Sequence, residues 1–117
     1  MRATWEELTA GLDQPDLELL EMFRETCLAL PDTEERVHRT EAQYAVRRIY
    51  AVGFMRSHRL EIAVDLLHEV AHPLLRQAFE TTRTVVTQRL KVESLDELAS
   101  VVPLIEEAHD TVGPGTR

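Results

Sequence analysis

The chain has a single cysteine, Cys27, so no internal disulfide can form, and a reducing cytoplasm is the expected compartment. No apolar run approaches ~18 residues, which excludes a membrane-spanning helix and leaves no membrane partner to expect. The first ten residues carry no apolar signal core, so secretion is not expected. Lysine is nearly missing: twelve arginines stand beside one lysine, Lys91. There is no repeat, linker or low-complexity stretch.

What is present is ordinary globular composition, with 44% apolar and 29% charged residues among 117. That length suits about one domain, and it buries roughly two thirds of its unfolded surface without staples. The net charge of −8 is uneven. Residues 1–35 sum to −8, residues 36–60 to +5 and residues 61–117 to −5. The acidic total disfavours general DNA binding, because phosphates are repelled at long range. The arginine-rich middle leaves room for a local anion site, since guanidinium groups grip anions bidentately.

Thr4 and Glu7 read as a capping box opening a short helix, with Trp5, Leu8 and Leu12 on one face. Pro15 then starts an amphipathic helix over about 15–30, carried by Leu17, Leu20, Phe23, Cys27 and Leu30. Cys27 on its apolar face reads as a packed thiol. A strand is expected around Val37. A central strand over 44–55 is apolar on both faces, and a half-buried one runs over 59–66. These two form a hairpin around the polar turn at 56–59. Pro73 opens an expected helix with Leu74, Leu75, Ala78 and Phe79 inward. Residues 84–92 return to period two, with Val85, Thr87, Arg89 and Lys91 on one face and Gln88 among apolar residues on the other. Ser94 caps a last helix that Pro103 should kink, and a flexible tail is expected over 113–117. The expected fold is a single α+β domain over 1–112. Its order is α-α-β-β-β-α-β-α, with a small, mostly antiparallel sheet and helices on one face.

His68-Glu69-Val70-Ala71-His72 matches H-E-x-x-H, in which two histidines on one helical face bind zinc and the glutamate acts as base. Pro73 opposes that reading, because it pushes His72 out of the helical region. So does the strand pattern, which runs to Leu66. A strand at 59–66 would refute a zinc hydrolase here; one helix through 63–82 would support it. No metal or cofactor is expected.

Tyr44, Arg48 and Tyr50 fall on one expected strand face, where they can line a pocket for an anion or planar ligand, with Gln88 nearby. Arginine with aromatic residues on a strand surface also stacks unpaired bases. A metal-free enzyme using Tyr44, Arg48 and Gln88 on a small substrate is the third reading.

The runs Glu35-Arg36-Val37-His38-Arg39-Thr40, Tyr44-Ala45-Val46-Arg47-Arg48-Ile49-Tyr50, Arg59-Leu60-Glu61-Ile62-Ala63-Val64-Asp65, His72-Pro73-Leu74-Leu75-Arg76 and Val86-Thr87-Gln88-Arg89-Leu90 occur in that order. This order resembles the domain of unknown function 5655 family, small bacterial α+β modules, over about residues 31–112. The resemblance implies a module found alone or beside other domains, some nuclease-like, and no established reaction. It implies a variable turn at 68–73 leading into a helix, and a histidine in the family where Gln88 stands here.

The leading expectation is a non-catalytic binding module that uses the arginine-rich hairpin, residues 36–59. Its ligand-binding residues would be Tyr44, Arg47, Arg48, Tyr50, Arg56 and Arg59, together with Gln88. The partner would be an anionic small molecule, an acidic protein surface, a nucleic-acid segment or a second copy of the chain.

Overall fold

A computed structural model of the protein describes residues 2–115. Helix α1, Trp5–Thr9, opens on the Thr4–Glu7 capping box. Helix α2, Gln14–Leu28, is capped by Asp13, whose carboxylate accepts the Asp16 amide at 3.0 Å. Six strands follow: β1 Glu34–Val37, β2 Ala42–Ala45, β3 Ile49–Arg56, β4 Arg59–Leu66, β5 Leu75–Glu80 and β6 Val86–Val92. Helix α3, Leu95–Thr111, ends the fold.

The strands form one antiparallel sheet in the order β1-β2-β3-β4-β6-β5. Strand alternation sends Leu60, Ile62, Val64 and Leu66 of β4 to one face, where α2 and α3 cover them. Phe23, Leu20 and Cys27 of α2 and Leu98, Val101 and Ile105 of α3 complete that core. Gly53 of β3 is required there. A Cβ on it would sit 2.4 Å from the Phe23 ring, so only glycine lets α2 approach so closely. The architecture is the expected α+β one, with helices on a single sheet face. Among the described residues, no helix is long and apolar enough to cross a membrane.

The β3–β4 turn, Ser57 and His58, takes left-handed φ at both residues (51° and 64°), as a two-residue hairpin turn demands. No glycine is present. Instead the His58 ring is anchored 2.9 Å from the Asp16 carboxylate.

Three expectations are corrected. The long strand expected over 44–55 is two strands, because the chain reverses at Val46-Arg47-Arg48. The Arg47 and Arg48 amides there both donate to the Gly113 carbonyl, at 2.9 and 3.0 Å. The helix expected after Pro73 is the edge strand β5. The spacing of Leu74, Leu75, Ala78 and Phe79 fits either period, and the open edge of β6 decides it. The flexible tail does not begin at 113. Gly113 is buried, and a Cβ on it would meet the His109 carbonyl oxygen at 2.4 Å. Residues 116–117 of the expected tail lie outside the described residues. Pro103 lies inside α3 without ending it. Both Pro103 and Ala99, whose carbonyl loses its helical donor to the proline, are exposed to water.

Candidate functional site

The H-E-x-x-H motif does not form a metal site. Strand β4 runs to Leu66, and residues 67–74 are a non-helical connection to β5. The two imidazoles turn separately onto α3. His68 Nε2 lies 2.6 Å from the Glu107 carboxylate, which holds His68 above the ordinary imidazole pKa. His72 Nδ1 accepts the Leu74 amide at 3.0 Å, so its proton is on Nε2, which donates to the Ser100 carbonyl at 3.2 Å. Among the described residues, one group of ligand atoms is close enough to share a metal ion: Asp13, Asp16 and His58. It contains neither motif histidine, and in the structure it anchors the β3–β4 turn.

The hairpin residues do not form one surface. Tyr44 and Tyr50 are fully buried on the helix side, not exposed to a ligand. Tyr44 packs edge-on against Phe23 and donates its hydroxyl to Glu35 at 2.9 Å. The same carboxylate receives two hydrogen bonds from Arg24, at 2.8 and 3.0 Å. Tyr50 donates to the Cys27 carbonyl at 3.3 Å and meets the Thr33 hydroxyl at 2.9 Å. Burial pushes both phenols, and the Cys27 thiol, well above their ordinary pKa values, so all three stay neutral.

The arginines are divided between the two ends of β3. Arg47 and Arg48 sit before its first residue. Arg56 and Arg59 flank the turn at its other end, Arg56 about 26 Å from Arg48 at strand rise. Arg59 is paired with Glu93 at 2.6 Å; Arg56 stacks on the Phe54 ring at 5.3 Å and reaches Glu61 at 4.0 Å. A pocket of Tyr44, Arg48 and Gln88 is likewise not formed. Gln88 is fully buried on the helix side. Its amide nitrogen donates to the carbonyls of His68 at 2.9 Å and Val86 at 3.2 Å, and its oxygen accepts the Val70 amide at 3.2 Å.

The open surface is the other face of the sheet. The register places Val52 and Phe54 of β3, Glu61 and Ala63 of β4, Thr87, Arg89 and Lys91 of β6, and Gln77 and Phe79 of β5 on it. They line a groove of about 470 Å³, with Arg76 and Glu41 at its rim. The groove is electrically lopsided. Its β2–β4 side carries Glu41 and Glu61; its β5–β6 side carries Arg76, Arg89 and Lys91. None of these three cations makes an ion pair with a described residue. Arg89 stands over the Phe79 ring, 6.0 Å from its centre, and Phe79 is 40% exposed. At one end the Thr87 hydroxyl meets the Thr81 hydroxyl and donates to Asp65 at 2.7 Å. Burial raises the Asp65 carboxyl above its usual value, against the pull of the Thr87 hydrogen bond and the Arg48 charge.

Sequence reasoning missed this groove. The alternation of 84–92 does put Arg89 and Lys91 on a common face, which was the available signal. Phe79 and Arg76 join them only because β5 pairs with β6. No family model, curated protein or solved structure matches the chain.

Proposed function

We propose that the chain is a non-catalytic binding module that takes an anionic ligand in the groove on the open face of its sheet. The observation that carries this reading is the cluster of Arg76, Arg89 and Lys91. These are three cations without an ion-pair partner among the described residues, gathered beside an exposed aromatic ring over which Arg89 stands, in a protein of net charge −8. Unpaired arginines with preset planar geometry suit oxyanions. The hairpin arginines serve this reading less well, because Arg56 and Arg59 are spent on Glu61 and Glu93. The resemblance of residues 31–112 to the domain of unknown function 5655 family belongs to the same proposal and implies a module without an assigned reaction.

The test is an amide NMR titration of the full chain with inorganic phosphate, citrate, a glutamate-rich peptide and adenosine monophosphate. At least one should move the resonances of Gln77, Phe79, Arg89 and Lys91. The double variant Arg89→Glu, Lys91→Glu should keep the dispersed spectrum and lose the response. A panel in which no anion moves these resonances rejects the reading.

A further inference from the structure

Resting on that reading, we propose that the groove's ligand is a single nucleoside monophosphate, with its base on Phe79 and its phosphate among Arg76, Arg89 and Lys91. Gln77 lies opposite Arg89 and Leu75 opposite Leu90, so the three cations stand within about two residues of one another on adjoining strands. At strand spacings of about 4.8 Å across and about 3.3 Å along, that is close enough for one phosphate group to meet all three. Phe79 lies two residues beyond Gln77 on the same face, about 6.6 Å along the strand, close to the span of a ribose. Its ring already accepts a flat guanidinium, that of Arg89, and bases stack on exposed aromatic rings in the same way.

Charge decides between a small ligand and a polymer. A strand of nucleic acid running across the sheet from the cations would pass Glu61, directly opposite Lys91, and then Glu41. It would also face the repulsion of a chain with net charge −8. One phosphate meets three cations against one neighbouring carboxylate, that of Glu61. An acidic peptide would use the cations and leave Phe79 idle.

The experiment compares adenosine monophosphate, adenosine and inorganic phosphate on the full chain by NMR titration. Adenosine monophosphate should bind at least tenfold tighter than either part. It should shift the Phe79 ring protons upfield, as stacking requires. Phe79→Ala should weaken it about tenfold or more, and Arg89→Gln should do likewise; both side chains are exposed, and the dispersed spectrum checks each fold. Three outcomes overturn the inference. In the first, phosphate alone binds as tightly and Phe79→Ala changes nothing. In the second, the glutamate-rich peptide binds where adenosine monophosphate does not. In the third, a single-stranded oligonucleotide binds far more tightly than the monomer. All three leave the anion reading standing; silence from every anion in the panel rejects both.

Discussion

The buried side-chain amide of Gln88 donates to the His68 carbonyl at 2.9 Å and, through its oxygen, holds the Val70 amide at 3.2 Å. One core residue on β6 thereby fixes the path of the 67–74 connection. Leucine has similar volume but satisfies neither group. Gln88→Leu is expected to cost about 1–3 kcal/mol, the penalty of unpaired polar groups near the core. It should also speed amide exchange at Val70. Denaturant melts and hydrogen exchange check this, and a variant as stable as the parent with Val70 still protected would refute it.

Gly53 faces the Phe23 ring with no room for a methyl group. Phe23 is fully buried and cannot swing aside. Gly53→Ala should destabilise the fold by about 1–3 kcal/mol through overpacking, despite alanine's lower entropic cost in a strand. The same melts measure it; a neutral or stabilising effect would show that α2 shifts freely over β3.

His68 and Glu107 form a pH-dependent tie between the 67–74 connection and α3. The Glu107 carboxylate, aided by the Glu69 carbonyl, raises the His68 pKa above its ordinary value. The contribution is therefore fully present below the unfolded value near 6.5 and fades as pH rises through the higher folded value. NMR titration of the His68 ring should give a midpoint above 6.5, falling toward it in Glu107→Gln. A parent midpoint at or below 6.5 would remove the tie from the account.

Glu35 serves two partners, Arg24 and Tyr44, on the edge of the core. Glu35→Ala should strand the buried Tyr44 hydroxyl and cost about 1–3 kcal/mol. Arg24→Ala leaves the phenol its acceptor and should cost less. Paired melts of the two variants test the order; the reverse ranking would place the weight on the ion pair instead.

The helices were legible because their signals are local: Thr4, Asp13 or Pro15, and Ser94 mark starts, and apolar residues recur at helical spacing. Strand β4 was legible because its alternation from Leu60 to Leu66 is strict. The break at Val46–Arg48 was hidden, since no glycine, asparagine or proline marks it and its amides are satisfied by Gly113, far along the chain. Strand β5 was hidden because the apolar pairs Leu74-Leu75 and Ala78-Phe79, at its start and near its end, fit either period. The groove was half legible. Arg89 and Lys91 share a face by alternation alone, but the ring beside them comes from a strand pairing that local pattern does not encode. The tyrosines were misplaced because alternation does not say which sheet face the helices cover: Tyr44 packs on Phe23 of α2 and Tyr50 on His109 of α3.

The Gly113 carbonyl is a clasp, and it follows α3, the last helix of the described fold. Two amides of the β2–β3 turn, sixty-odd residues upstream, wait for it. During synthesis this corner of the sheet stays unsealed until Gly113 has left the ribosome, after all six strands. A chain cut short before 113 has its strands but no clasp, and its β2–β3 corner is where fraying would begin.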